Sequence, residues 1–258
     1  MNSRLESKQT RIILWILLFL SVCVMIACGY EKARILRIYR AGDDSYRQLS
    51  GHVRRTPETS AEPEAERWAA GRDINFSALQ AVSSDAAAWL FSPDTVIDYP
   101  VMRADNLSYY LYHLPNGTLN ANGSLFIDYN GAPDFSDSLT VIYGHNMRNG
   151  KMLGSITGYK QQAYFEAHPF MYLYTGQANY RIDLMYGCVI EAAQWRERAF
   201  MYRENLDALL AYAGRNTTFI SSVRYEKGDR VVVLSTCSDE YNNARYLVMG
   251  LLRPGHAV

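Results

Sequence analysis

The sequence predicts a mainly β domain, a closed barrel or a sandwich, carried behind one membrane-spanning helix. Three observations predict it. From Val96 onward, short runs of β character recur between turn signals such as Asn116-Gly117, Asn122-Gly123 and Asn130-Gly131, with few long helical stretches among them. Twenty tyrosines against nine phenylalanines suit strands with one half-wetted face. The run Ile12 to Cys28 is apolar apart from Ser21.

In chain order, residues 1–11 form a short tail carrying Arg4, Lys8 and Arg11, and residues 12–30 form the anchor. At about 1.5 Å per residue that run, helped by Gly29 and Tyr30, just crosses a hydrocarbon core of roughly 30 Å. A cleaved signal peptide would have a shorter apolar core and a small-residue ending. A lipoprotein signal is a further alternative, because Met25-Ile26-Ala27-Cys28 resembles a lipobox. Lys32, Arg34, Arg37 and Arg40 follow the anchor, so positive charge flanks both ends and does not decide orientation. A short tail leading into a large domain favours a cytoplasmic N-terminus and an extracellular domain; a domain held on the inner face is the alternative.

Residues 31–72 read as a stalk or a loosely docked helix, since Thr56-Pro57-Glu58-Thr59-Ser60-Ala61-Glu62-Pro63-Glu64 is polar and interrupted by proline. The folded domain is expected over residues 73–258. Phe76, Leu79 and Val82 recur at helical spacing, and Ser84-Asp85 offers a cap for a short helix reaching Trp89. Seven strands are expected: Val96–Met102, Ser124–Tyr129, Leu139–Gly144, Met171–Thr175, Asn179–Ile190, Val231–Thr236 and Tyr246–Leu252. Helices are expected from about Met152 to Ala167 and from about Glu204 to Ala213, the second with Leu206, Leu209 and Leu210 on one face. Lys+Arg and Asp+Glu both total 26, and a neutral chain is not an electrostatic nucleic-acid binder.

Cys237 ends the run Val231-Val232-Val233-Leu234-Ser235-Thr236-Cys237, after which the chain turns polar. A cysteine at the mouth of a buried strand is both held and accessible, although on residue type alone a core cysteine is commoner. Cys188, in mid-strand, fits that commoner fate; Cys23 and Cys28 belong to the anchor. A nucleophilic cysteine needs a base or cation beside it, because the thiolate is the reactive form. Of five histidines, His52 lies in the stalk, His256 in the tail, and His113 and His168 beside turn-forming prolines. His145 closes Leu139-Thr140-Val141-Ile142-Tyr143-Gly144 and shares the strand-end setting of Cys237, which a turn histidine would also do. Arg245 opens the strand after Cys237, where a hairpin would return its guanidinium to the thiol and let it hold an oxyanion; a surface arginine is the plain alternative. Asp239 could orient a base, although starting the intervening turn is its plainer role.

These blocks together resemble the class B sortases, cysteine transpeptidases of Gram-positive bacterial surfaces. The resemblance rests on Trp89 with Ile97-Asp98-Tyr99-Pro100-Val101-Met102; on Asp105-Asn106, Tyr109, Tyr110 and Gly123-Ser124-Leu125-Phe126-Ile127-Asp128; on Tyr143-Gly144-His145-Asn146-Met147; and on Leu234-Ser235-Thr236-Cys237 with Arg245. It spans roughly residues 73 to 253, and the helical stretch before the cysteine strand favours class B. Val233 stands where the family writes threonine.

The resemblance implies a closed eight-stranded β-barrel with N-terminal and inserted helices. It implies a thiol transpeptidase cutting a C-terminal sorting signal, Asn-Pro-x-Thr-Asn/Gly or a Pro-rich variant, after threonine. Cys237 would be the nucleophile, His145 the acid–base group and Arg245 the oxyanion stabiliser, with Asn106, Ser235, Thr236 and Tyr202 near the substrate. The implied partners are secreted proteins bearing the signal and an amine of peptidoglycan or of a pilin; no metal or other cofactor is implied. A non-catalytic membrane-anchored binding module is a rival. A papain-like protease is disfavoured, because there the cysteine comes early on a helix with histidine downstream.

Overall fold

The computed structural model describes residues 2–54, 72–103, 105–106, 108–127, 131–196 and 205–255. The chain divides into two compact units, Met1–Asp43 and Asp44–Val258. The first unit lies within helix α1, Asn2–Ser50. Its apolar side chains from Ile12 to Ile26 are exposed, as they are on a helix whose solvent is lipid, and the helix is long and apolar enough to cross a membrane.

The helix does not stop where its apolar run stops. Arg34 reaches back to Glu31 and Arg47 to Asp44 at i,i+3 spacing, which supports the helix past the apolar run. Its last two turns belong to the second unit, where Tyr46 and Leu49 are buried in that unit's hydrophobic clusters. The folded part therefore begins near Asp44, ahead of the expected Asp73. The Pro-interrupted stretch of the expected stalk lies outside the described residues.

Two short strands, β1 (Val53–Arg54) and β2 (Asp73–Ile74), pair with each other ahead of the barrel. A helix over Phe76–Val82 follows, capped by the Asn75 side chain accepting from the Ala78 amide. The barrel strands are β3 (Ala86–Phe91), β4 (Asp98–Met102), β5 (Leu125–Ile127), β6 (Leu139–Tyr143), β7 (Phe170–Thr175), β8 (Asn179–Glu191), β9 (Val231–Cys237) and β10 (Ala244–Pro254). They close in the order β10-β8-β7-β3-β4-β5-β6-β9, so no barrel strand has an unpaired edge. Two neighbouring pairs, β4–β5 and β6–β9, are parallel; the rest are antiparallel.

The segment expected as a helix reaching Trp89 is strand β3. The alanines of Ala86-Ala87-Ala88 favour a helix locally, but the segment lies between β4 and β7 and fills both ladders. Trp89 is fully buried there and donates its indole N–H to Asp98 at 2.7 Å. Sheet closure and that burial outweigh a propensity difference of a few tenths of a kcal/mol per residue. The expected helix over 152–167 is a 3₁₀ helix, Gly154–Lys160, followed by an α-helix, Gln162–Ala167. The other expected helix is Leu206–Arg215, burying Leu206, Leu209, Leu210 and Ala213.

That helix explains the apolar runs of β9 and β10. Val232 and Leu234 of β9, with Tyr246 and Val248 of β10, point into the barrel. Val231 and Val233, with Leu247, Met249 and Leu251, face outward and are covered by Leu209, Leu210 and Ala213. Strands buried on both faces read as continuous hydrophobic runs, without alternation. Cys188 lies in this covered outer layer.

Candidate active site

In β9 every side chain from Val231 to Thr236 is buried, and Cys237 emerges exposed at the strand end. Arg245, the second residue of β10, stands directly opposite Cys237 in the antiparallel register. Directly opposed residues project to the same face, with Cβ atoms about 4.5–5.5 Å apart. On the other side of β9, parallel strand β6 pairs Tyr143 with Ser235. Two residues beyond that pair come Cys237, the last residue of β9, and His145, which follows the end of β6. Arg245 thus stands opposite Cys237 on β10, and the segment carrying His145 leaves β6 beside the same end of β9.

Hydrogen bonds carry that alignment past the end of β6. The Gly144 amide donates to the Ser235 carbonyl at 3.2 Å, and the Thr236 hydroxyl donates to the Gly144 carbonyl at 2.8 Å. The Asn146 side-chain amide donates to the Cys237 carbonyl at 3.0 Å. The residues on either side of His145 are therefore tied to the residues around the thiol. Gly144 packs closely: a Cβ there would force the side chains of Leu125 and Leu153 to shift.

His145 is held from a third direction. Its Nε2 lies 2.7 Å from the Leu111 carbonyl oxygen. A carbonyl only accepts, so Nε2 carries the proton and Nδ1 is the nitrogen left to exchange one.

The loop from Cys237 to Arg245 has its own fastening. Lys160, the last residue of the 3₁₀ helix, donates to the Ser238 hydroxyl at 3.0 Å and pairs with Glu240; Ser238 in turn bonds Glu240. The same ammonium lies 5.1 Å from the centre of the Tyr246 ring. Burial works to raise the Glu240 carboxyl, but its hydrogen bonds from Lys160 and Ser238 outweigh that and hold it below the usual range. A half-exposed pair of this kind contributes at most about 1 kcal/mol, so its value is in the loop geometry.

The two domain cysteines differ sharply. Cys188 is completely buried opposite Leu247, and burial pushes its thiol up to about 12, which suppresses the reactive thiolate. Among the expected substrate contacts, Ser235 is buried directly before Thr236, on the Cys237 face of β9. Thr236 is buried with its hydroxyl committed to Gly144, which makes it a tie between the two site strands. Asn106 is exposed; its carboxamide oxygen accepts from the Ser108 and Tyr109 amides and starts the turn Tyr109–Tyr112. Leu111, in that turn, is the residue whose carbonyl holds His145. Tyr202 lies outside the described residues. Sequence reasoning missed the Leu111 carbonyl, Asn146 and Lys160; of these only Asn146 left a trace, as the residue after the histidine.

No family model matches the chain. Sortase B of Listeria monocytogenes is 31% identical over 179 residues, covering 67% of this chain and 72% of that protein. The crystal structure of sortase B from Bacillus anthracis superposes with a TM-score of 0.70 at 23% identity, over 85% of this chain and 99% of that one. A Streptococcus pyogenes class B sortase involved in pilus biogenesis matches with a TM-score of 0.63 at 24% identity, over 70% of this chain and 98% of that one.

Proposed function

The chain belongs to the class B sortase family, and from that premise we propose that it is a membrane-anchored thiol transpeptidase acting through Cys237, His145 and Arg245. One observation supports the assignment of residues: Arg245 stands opposite Cys237 in the β9–β10 register, at the end where β9 becomes exposed, and the segment just after β6, which carries His145, is hydrogen-bonded to that end.

In this reading His145 takes the thiol proton at Nδ1, and Cys237, now a thiolate, attacks the threonyl carbonyl of a C-terminal sorting signal. The carbonyl electron pair moves onto oxygen, and Arg245 stabilises that oxyanion. His145 delivers a proton from Nδ1 to the departing amine, the C–N bond breaks, and a thioester remains on Cys237. An incoming amine gives a proton back to His145 as it attacks, and the thiolate leaves. The Leu111 carbonyl keeps the ring oriented through both transfers. Ser235 and Asn106 flank the peptide, and wall peptidoglycan supplies the amine. A pilin lysine is the second reading, favoured by the involvement of the Streptococcus pyogenes class B sortase in pilus biogenesis.

The test is to incubate the enzyme with a threonine-containing sorting peptide, alone and with either a glycine-type cross-bridge amine or a lysine peptide. Cleavage after threonine with ligation to the amine is expected, and hydrolysis without amine. Cleavage elsewhere, or none with any such peptide, would remove the proposal. The same reading places the N-terminus inside the cell and the barrel outside, anchored by α1. Protease added to intact protoplasts is then expected to degrade the barrel; survival of the full-length chain would reverse the orientation.

A further inference from the structure

The carbonyl that orients His145 is itself held in place by residues far from it in sequence. Gly123 has φ +56°, in the left-handed region, and a Cβ there would lie 2.6 Å from the Tyr110 carbonyl oxygen and 2.7 Å from that of Leu111. Only glycine lets the two chain segments approach so closely. The Leu111 oxygen that Gly123 abuts is the one that accepts from His145 Nε2. Next to Gly123, the Ser124 amide donates to the Tyr110 carbonyl at 2.8 Å and the Ser124 hydroxyl to the His113 carbonyl at 2.9 Å. The segment carrying Leu111 is thus clasped along its length.

The clasp is anchored by the end of α1. Tyr46 is buried, its ring edge-on to Tyr99 at 5.2 Å, and its hydroxyl donates to the Gly123 carbonyl and lies 3.4 Å from the Ser124 hydroxyl. We propose that Tyr46 and Gly123 are positioning residues for His145: the last turns of the N-terminal helix set the histidine through Gly123 and the Leu111 carbonyl. This rests on His145 being the acid–base group, and it makes those turns part of the catalytic apparatus as well as of the tether. A chain begun at Asp73 would keep Cys237, His145 and Arg245 and lose this support.

The experiment uses the full-length chain in detergent micelles, as wild type, Tyr46→Phe and Gly123→Ala. Tyr46→Phe removes one oxygen and keeps the ring contact with Tyr99. Per Cys237 titrated by alkylation, its kcat is expected to fall about 10-fold to 10²-fold, the scale of a misplaced catalytic group, with KM for the peptide within about twofold. In ¹⁵N-histidine spectra the hydrogen-bonded Nε2–H signal of His145 is expected to weaken or move in both variants. A purely structural role would lower melting temperature and the titratable fraction while leaving kcat per titrated site and the His145 signal at wild-type values, and that result would overturn the proposal. Should Gly123→Ala not fold, Tyr46→Phe decides. Should wild type cleave no sorting peptide, the proposed function fails separately, and an unmoved His145 signal in Tyr46→Phe would still refute the positioning.

Discussion

Cys237→Ala is expected to abolish peptide cleavage and ligation while leaving the barrel folded. Removing a nucleophile from a catalytic group that acts as a unit costs on the order of 10⁶ in kcat. Because Cys237 is exposed at a strand end, its sulfur contributes little packing, and the melting temperature is expected to stay near wild type. Cys188→Ala should do the reverse. Its sulfur fills space under the helix Leu206–Arg215, so truncation leaves a small cavity costing on the order of 1 kcal/mol, with turnover intact. Brief alkylation of the wild type should label Cys237 first and remove activity in step, since burial holds Cys188 as the neutral thiol. Activity lost in step with labelling of Cys188 would contradict this account.

Arg245→Ala is expected to lower kcat by about 10² to 10³, the scale of one lost oxyanion donor, with a much smaller change in KM. Arg245→Lys should be nearly as damaging. In the structure one guanidinium nitrogen, Nη1, donates to the Ala244 carbonyl at 3.0 Å, which fixes the fork beside its own strand. Lysine offers a point charge on a flexible stem, without the rigid planar fork that aims its donors at an oxyanion from a fixed position. Steady-state kinetics of the two variants on one peptide checks this. Near-normal kcat with lysine would reduce Arg245 to a general positive charge.

Much of the candidate site is legible in the sequence, because its residues stand at or just past the ends of strands. A long apolar run that stops at a cysteine and then turns polar describes β9 and its mouth; Leu139–Gly144 stopping at His145 describes β6 in the same way. What one chain pass cannot give is that these two strands are parallel neighbours in register, since 92 residues (237 − 145) separate the two side chains. The lost elements have a common cause. Strand β3 was disguised by three helix-favouring alanines, and only its two ladder partners decide the matter. The continuation of α1 to Ser50 depends on Tyr46 and Leu49 finding the domain's interior. The supports of His145 and of the cysteine loop run through backbone carbonyls and one lysine, and a carbonyl has no residue type to recognise.

The proposed function turns on a thioester formed at Cys237. Full-length enzyme mixed with a threonine-containing sorting peptide, quenched in acid within the first turnovers and digested, can be read by mass spectrometry. An acyl adduct ending in threonine is expected on the peptide that contains Cys237, lost on adding an amine acceptor and absent from Cys237→Ala. An adduct on Cys188, or wild-type turnover in Cys237→Ala, would contradict it.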